Sequence, residues 1–232
     1  MGTTFRDHIS PEAMADAVAA AVAQVIADAV ASRRAALIAV PGGGTPVASF
    51  ARLSAMPLPW NAVTILPTDE RVVPLGDPLR NSALLDRWFG ASGATLVPLV
   101  GRGDDAAIEA DLAEARLRPL PFPLNLAWLG MGGDGHTASL FVGPDLETAL
   151  DLASPRRAVA VRPDPLPPEA PVSRVSLTAA ALASARTVIV TITGTAKRSL
   201  VEQAICDGAA SRFPVGRLLA ASATDIAIHW SA

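Results

Sequence analysis

The feature that most constrains the fold is a regular alternation of short apolar runs with longer segments of helical periodicity. Short runs that are apolar throughout are typical of strands covered on both faces. Strands are therefore predicted at residues 35–40, 62–66, 95–100, 124–129, 158–161, 174–177, 187–192 and 225–230. Because helical segments separate these runs, the chain is predicted to form an α/β fold. Its sheet is expected to be doubly wound and mostly parallel, with helices on both faces.

The helical segments begin with recognisable start signals. Ser10 and Pro11 combine a capping residue with a proline that suits the first helical position, and Thr45 and Pro46 repeat that combination. Further helices are predicted at residues 81–89, 104–116 and 195–206. The segment 162–171 holds five prolines in ten residues and is predicted to be an excursion or lid rather than a linker. Residues 1–232 are therefore expected to form a single domain.

Composition limits the classes of partner. The chain has 232 residues, half of them hydrophobic, and its 19 basic and 22 acidic residues give a net charge of −3. No basic excess is available to neutralise a nucleic-acid backbone, although a single pocket can still bind a small anion. The single cysteine, Cys206, excludes an internal disulfide framework and a cysteine-based zinc site, and it is expected to be a small buried residue.

Neither the first ten residues nor the longest apolar stretch predicts a membrane-associated protein. Residues 1–10 lack the apolar core of a secretory signal, and the stretch 13–31 is interrupted by Asp16, Gln24 and Asp28. We expect a cytoplasmic protein, a monomer or small homo-oligomer. It is expected to bind no nucleic acid or membrane and to need no metal ion or cofactor.

Four segments that follow predicted strands carry small, polar or charged residues. They are residues 42–45, 68–71, 130–139 and 194–197. Ligands of open parallel sheets bind beyond the carboxyl ends of the strands, where such segments meet. In the first segment, the backbone amides of Gly43 and Gly44 can approach an anion closely at the start of a helix. The segment lacks the lysine of a nucleotide-binding P-loop, and a tight strand-to-helix turn is the alternative interpretation.

His136 is the candidate for a catalytic side chain. It follows residues 130–135, whose sequence GMGGDG matches the dinucleotide-binding pattern but lacks the immediate helix and the later acidic residue of that motif. Asp134 is placed to orient one ring nitrogen of His136 and leave the other as a general base. Of the other two histidines, His8 is expected in a frayed terminus and His229 in a structural position of the last strand.

Charged residues complete the candidate set. Asp69 and Arg71 come directly after a predicted strand, where they either face the shared crevice or form a solvated turn. Lys197 is the only lysine among the 19 basic residues and lies in the first turn of a predicted helix. The helix dipole disfavours a cation there, and a bound anion would offset that cost. The alternative is that lysine is scarce through coding bias alone.

These segments resemble the motifs of the 6-phosphogluconolactonase family over essentially the whole chain. Residues 130–141, GMGGDGHTASLF, resemble the histidine signature of the family, which is its most specific element. Companion motifs are resembled, in the same order, by residues 41–46 (PGGGTP), 69–74 (DERVVP), 174–178 (RVSLT) and 193–197 (TGTAK). The resemblance implies a Rossmann-like fold shared with sugar-phosphate isomerases and deaminases. It also implies hydrolysis of 6-phospho-D-glucono-1,5-lactone without a cofactor or metal ion.

The resemblance implies a catalytic role for several of the candidates. His136 acts as general base on a water molecule, Asp134 orients it, and Asp69 contacts the water or the sugar hydroxyls. Arg71 stabilises the negative charge that develops on the carbonyl oxygen. The backbone amides implied in the same role are those of Gly132 and Gly133.

The resemblance further implies a phosphate site and shows three departures from the family pattern. The implied phosphate ligands are Gly43, Gly44, Thr45, Arg174 and Lys197. Gly44 stands where the family usually has serine, so one hydroxyl donor is missing. Arg80 stands in place of the serine expected before Asn81, so no ligand contact by that serine is carried over. Val142 replaces a frequent proline.

Two other functions remain open. Glucosamine-6-phosphate deaminases resemble this chain in fold, glycine loop and glycine-histidine motif, but typically continue His-Ile-Ala-Phe where this chain has His-Thr-Ala-Ser from His136. A sugar-phosphate sensor would keep the pocket without the chemistry. The presence of both His136 and Arg71 argues against the sensor.

Overall fold

The computed structural model describes residues 2–168 and 170–232, and its main feature is a seven-stranded parallel sheet. The strands of the described residues are β1 Thr3–His8, β2 Ala36–Val40, β3 Val63–Pro67, β4 Asp69–Arg71, β5 Thr95–Leu96, β6 Leu126–Leu129, β7 Ala158–Val161, β8 Arg174–Leu177, β9 Val188–Thr193 and β10 Ile226–Ser231. The large sheet has the order β1-β10-β9-β6-β2-β3-β5, and every neighbouring pair in it is parallel. The predicted mostly parallel α/β fold is confirmed.

Helices surround this sheet. They are α1 Pro11–Arg33, α2 Val47–Ser54, α3 Asn81–Phe89, α4 Ala106–Leu117, α5 Leu146–Leu150, α6 Ala179–Ala183, α7 Thr195–Asp207 and α8 Pro214–Ala220. The predicted cap of α1 is confirmed, since Ser10 Oγ accepts a hydrogen bond from the amide of Ala13 at 3.2 Å. By length and composition alone α1 could cross a membrane, but its apolar face, including Val18, Val22 and Ile26, is buried in the core.

Not every predicted strand joins the parallel sheet. A second sheet has the order β4-β8-β7 and is antiparallel throughout, with Asp69 opposite Ser176 and Arg71 opposite Arg174. The chain enters it at Thr68, whose amide donates to Val40 O and whose carbonyl accepts from the amide of Leu177. One residue therefore joins the end of β3 to the small sheet. Apolar composition alone does not distinguish the two kinds of pairing.

Several local predictions are wrong. Thr3–His8 is not frayed, because it pairs in parallel along the whole of β10. Pro46, rather than Thr45, occupies the capping position of α2, and no side chain caps that helix. Only Thr95–Leu96 of the predicted run 95–100 forms a strand. Cys206 is exposed, because it lies on the outer side of α7.

The hydrophobic core continues from the large sheet into the small one. Val175 and Leu177 of the small sheet belong to the same buried cluster as Leu129 and Val190 of the large sheet. On the opposite face, α1, α2 and α3 cover a second cluster built around Phe50, Phe89 and Trp128. Because one cluster spans both sheets, we propose that the chain folds as a single domain. Met1 and Glu169, within the predicted terminal and proline-rich segments, lie outside the described residues.

His229 predicts a pH dependence of stability. Its imidazole is buried on β10, where burial, followed by the charges of His8 and Arg6, lowers its pKa to about 4. Its Nδ1 lies 3.1 Å from Nε2 of His8. In the unfolded chain the pKa of this side chain is near its ordinary value of 6.5. Between about pH 4 and pH 6.5, therefore, the unfolded chain binds a proton at His229 and the folded protein does not. Stability is therefore greatest above that window and falls as the pH drops through it.

Urea unfolding at about pH 7.5 and about pH 5 measures this effect. We expect the free energy of unfolding to fall by about 1–2 kcal/mol through His229 alone. The variant His229→Gln keeps a polar side chain that does not titrate, so its loss over the same interval should be smaller by that amount. An equal loss in both proteins would show that His229 does not contribute.

Candidate active site

A cavity of about 240 Å³ opens where β2, β3, β6 and β9 end. It is lined by Pro41, Gly42, Gly43, Gly44, Thr45, Pro46, Thr68, Asp69, Arg71, Asn81, Gly130, Met131, Gly132, His136, Thr137, Ala138, Thr191 and Lys197. All four segments predicted to meet at this edge do so. Of the predicted site residues, Gly133, Asp134 and Arg174 do not line this cavity.

The glycine loop presents free donors to the cavity. Within the described part of the chain, the backbone amides of Gly43, Gly44 and Thr45 have no hydrogen-bond partner, and all three residues are exposed. They lie directly before α2, so the positive end of the helix dipole reinforces them. The loop can therefore bind an anion through its backbone, without the hydroxyl that Gly44 lacks.

His136 is held in place by Asp134 and by the turn that joins them. Its Nδ1 lies 2.6 Å from Asp134 Oδ1, which also accepts the His136 amide at 3.1 Å. A Cβ at Gly132 would lie 2.2 Å from the imidazole, so only glycine permits this close approach. Phe141 stacks on the ring with its centroid 4.1 Å away. With Nδ1 engaged, Nε2 is the nitrogen left to act on a ligand.

Asp134 is ionised more readily than an ordinary aspartate. Burial alone would raise the pKa of its carboxyl, but the hydrogen bond from His136 and the positive charge that His136 can carry outweigh burial and lower that pKa. A carboxylate beside Nδ1 fixes the tautomer with the proton on that nitrogen and stabilises the imidazolium. The pair has the arrangement of a base and its orienting acid.

One of the two predicted amide donors is already engaged. The amide of Gly132 donates to the carbonyl of His136 at 2.9 Å, closing the turn that carries the imidazole. Gly132 therefore does not supply the predicted donor to an oxyanion, because its hydrogen is used to hold the turn. Gly133 is exposed and borders a neighbouring cavity.

Asp69 is oriented by side chains that the sequence did not single out. Its Oδ2 accepts a hydrogen bond from Ser139 Oγ at 2.5 Å, and its Oδ1 accepts one from Thr68 Oγ1 at 3.2 Å. Ser139 is fully buried and belongs to the loop that carries His136. Its 70-residue separation from Asp69 leaves no local signal for the contact.

Arg71 faces the cavity with most of its donors free. Its Nη1 donates to Leu79 O at 2.8 Å and to Asn81 Oδ1 at 2.7 Å. Nε and Nη2 have no partner among the described residues. Because the guanidinium is planar, fixing one nitrogen sets the direction of the other two.

Glu70, between these two site residues, has a structural role. Its fully buried carboxylate accepts the amides of Arg71, Asn81 and Ser82 at 2.7–2.8 Å and so caps the start of α3. Burial raises the pKa of this carboxyl, although the amide hydrogen bonds oppose the rise. Glu70 thereby links β4, which carries Asp69 and Arg71, to the first residues of α3.

Lys197 extends from the first turn of α7 into the cavity. Its Nζ donates to Met131 O at 2.6 Å, which places the ammonium beside the histidine loop. An ammonium has three donors, so two remain for a ligand. The predicted position of this cation at the edge of the sheet matches where the structure places it.

Arg174 does not lie where its motif implied, and Arg80, to which no ligand contact was assigned, has a structural role. Arg174 does not line the cavity: it is buried in β8, and its Nη2 donates to Ala170 O at 2.8 Å. Its predicted contact with a phosphate is therefore not supported. The guanidinium of Arg80 is also buried and donates to the carbonyls of Val73, Val100 and Gly101, so it ties two loops together instead of replacing a ligand contact.

A second cavity of about 650 Å³ also borders His136. One wall consists of Asp164, Pro165, Leu166, Pro167 and Pro168, and the other includes Gly133, Asp134 and Phe141. The two cavities share Gly132, His136 and Lys197. The proline-rich segment thus borders the histidine. In residues 2–168 and 170–232, no group of three or more His, Cys, Asp or Glu side chains is placed to hold a metal ion.

Fold and cavity define an α/β protein with a cavity lined by free backbone amides and cationic side chains at the carboxyl ends of its strands. The sequence model of the family described as glucosamine-6-phosphate isomerases/6-phosphogluconolactonase matches residues 9–230. The chain belongs to that family, and it is an enzyme of the family.

The chain is similar along most of its length to several proteins named 6-phosphogluconolactonase. A 6-phosphogluconolactonase of Rhizobium meliloti is 36% identical over 226 residues, covering 96% of each chain. Another from Pseudomonas aeruginosa is 36% identical and covers 92% of this chain and 88% of its own. The crystal structure of a 6-phosphogluconolactonase from Shewanella baltica superposes with a TM-score of 0.91 at 31% identity, covering 99% of this chain and 98% of that one. A monomeric glucosamine-6-phosphate deaminase shares the fold, with a TM-score of 0.78 at 20% identity over 99% of this chain and 97% of its own.

Proposed function

We propose that this enzyme hydrolyses 6-phospho-D-glucono-1,5-lactone to 6-phospho-D-gluconate, which makes it a carboxylic ester hydrolase of sugar-phosphate metabolism. One observation carries the proposal: His136, whose Nδ1 is engaged by Asp134, lines a cavity that is also lined by Arg71 and Lys197. A base, a donor for an oxyanion and a phosphate-binding cation are the groups that hydrolysis of a phosphorylated lactone requires. The lactonase names of the relatives that are 30% or more identical support it.

The phosphate binds to the glycine loop and Lys197. The free amides of Gly43, Gly44 and Thr45 donate to its oxygens, and the Lys197 ammonium supplies the charge. Arg174 is not among the proposed phosphate ligands, because it lies outside the cavity.

His136 acts as general base at the lactone carbonyl. Its Nε2 takes a proton from a water molecule while the water oxygen bonds to the carbonyl carbon, and the carbonyl electron pair moves to its oxygen. The free Nε and Nη2 donors of Arg71 stabilise that oxyanion. When the intermediate collapses, the bond from this carbon to the ring oxygen breaks. The imidazolium then returns its proton to the ring oxygen.

Asp134 and Asp69 support this step in different ways. Asp134 stabilises the imidazolium that forms when His136 takes the proton. Asp69, oriented by Ser139, accepts hydrogen bonds from the attacking water or from the sugar hydroxyls.

The proposal also includes the location and the assembly of the enzyme. We propose that it is cytoplasmic and is a monomer or small homo-oligomer.

The proposed reaction needs no metal ion, because an imidazole activates the water. We expect kcat and KM to be unchanged within about 20% after prolonged dialysis against EDTA. The measurement compares the dialysed enzyme with the same sample resupplied with zinc or magnesium. Lost activity that either ion restores would contradict metal independence.

The function itself is tested with freshly generated lactone. The rate of ring opening is monitored through the protons that it releases. The spontaneous rate, measured without enzyme, is subtracted. We expect acceleration above that background by the wild-type enzyme and no ammonia release from glucosamine 6-phosphate. Ammonia release would favour the deaminase, whereas binding of 6-phosphogluconate without turnover of either compound would favour the sensor.

A further inference from the structure

We propose that Asn81 is a positioning residue that aims the Arg71 guanidinium at the reacting carbonyl. This inference rests on the proposed function, because it assigns a task to a residue that supports Arg71. Asn81 is the first residue of α3, is 3% exposed and lines the cavity. Its side chain does not supply a charge or a nucleophile. Its effect on the reaction must therefore act through its neighbours.

The contact with Arg71 determines the plane of the guanidinium. Nη1 carries two hydrogens, and these are taken by Asn81 Oδ1 at 2.7 Å and Leu79 O at 2.8 Å. With Nη1 saturated, the donors left for a ligand are on Nε and Nη2, and their direction follows from the planar geometry. Without Asn81, one acceptor remains and the guanidinium can rotate about that single hydrogen bond.

Asn81 is itself fixed by two segments of the site, strand β4 and the glycine loop. Its Nδ2 donates to Asp69 O at 2.7 Å, and its backbone amide donates to Glu70 Oε1 at 2.7 Å. A Cβ at Gly42 would lie 2.0 Å from Asn81 Oδ1, so the glycine loop packs directly against the amide group. These contacts hold the glycine loop and β4, which carries Arg71, in one arrangement.

The amide group suits this position better than a carboxylate or an apolar side chain. Its donor meets the carbonyl of Asp69 and its acceptor meets Arg71, so a flipped amide would place two donors together. An aspartate here would place a carboxylate against that carbonyl. It would also pair with Arg71 and reduce the positive charge that the cavity receives. The uncharged amide orients the guanidinium and leaves its charge available.

A double-mutant cycle tests the inference. The proteins are wild type, Arg71→Ala, Asn81→Ala and the double variant, and the readouts are kcat and KM for the lactone and the Kd of 6-phosphogluconate. We expect Asn81→Ala to lower kcat roughly 5- to 20-fold with KM changed less than about 2-fold. In the Arg71→Ala background, the same substitution should change kcat by less than about 2-fold.

Asn125 provides the matched control. It is also a buried asparagine, and its Oδ1 accepts the amide of Leu37 at 2.9 Å near the amino-terminal ends of the central strands β2 and β6, away from the cavity. Asn125→Ala should lower the melting temperature without changing kcat. If Asn81→Ala does not fold, Asn81→Ser takes its place, because the shorter side chain is uncharged and does not reach Arg71 Nη1, with the same expected dependence on Arg71.

The outcomes separate the inference from the proposed function. An equal factor for Asn81→Ala in both backgrounds would overturn the positioning role, even when the wild type is an active lactonase. A wild type without lactone hydrolysis overturns the proposed function, and coupling between Asn81 and Arg71 in the Kd of 6-phosphogluconate would then still support the positioning role. Absence of both turnover and binding overturns both.

Discussion

Replacing His136 by asparagine is expected to lower kcat for lactone hydrolysis by roughly 10²- to 10⁴-fold and to leave KM nearly unchanged. Asparagine keeps a polar side chain of similar reach but cannot accept the proton of the attacking water. Because the proposed phosphate ligands are the glycine loop and Lys197, we expect the affinity for the substrate to depend little on the imidazole. The measurement is a stopped assay with freshly generated lactone, from which the spontaneous rate is subtracted.

Two variants serve as controls for this substitution. His8→Asn makes the same change on β1, outside the cavity, and should leave kcat unchanged. Asp134→Asn keeps the imidazole but removes the carboxylate 2.6 Å from Nδ1, so it should lower kcat less than His136→Asn does. Near-normal turnover of the His136 variant would rule out the general base. A rise in KM with kcat little changed would instead indicate a role in substrate binding.

Replacing Lys197 by alanine is expected to weaken binding of 6-phosphogluconate by about 1.5–3 kcal/mol, roughly 10- to 150-fold in Kd. The ammonium lies in the cavity with two donors free, and its loss leaves the phosphate with backbone amides alone. Unphosphorylated gluconate has no dianion, so its affinity should hardly change. Calorimetric titration of both ligands measures the difference.

Lys197→Arg distinguishes a need for an ammonium from a coding bias against lysine. The structure removes crowding by Arg174 as a reason for poor rescue, since Arg174 lies outside the cavity. The remaining reason is the short contact between Nζ and Met131 O, 2.6 Å, which a larger planar group cannot reproduce in the same place. We therefore expect partial rescue. Equal affinity of Lys197→Arg and wild type for 6-phosphogluconate would leave no special role for the ammonium, and equal affinity of Lys197→Ala would remove the residue from the site.

The sequence by itself determined the order of the elements and the segments that carry the chemistry. Helix α3 begins at Asn81 and ends at Phe89 as predicted, because apolar spacing and helix ends are properties of neighbouring residues. The contact between Asp134 and His136 could also be predicted from the sequence, since the two residues are two positions apart in one turn. The carboxyl ends of parallel strands lie on the same side of the sheet. The glycine loop, Asp69, Arg71 and Lys197, which follow such ends, could therefore be predicted to meet there.

Only the tertiary structure decided which side chains complete the site. Ser139 reaches Asp69 across 70 residues, and Lys197 reaches the carbonyl of Met131 across 66. The pairing of β4 with β8 buries Arg174 away from the cavity, although its motif suggested a phosphate ligand. Such contacts depend on which strands lie side by side and on the direction in which they pair. Apolar spacing along the chain does not encode that choice, because a buried strand has the same pattern in either sheet.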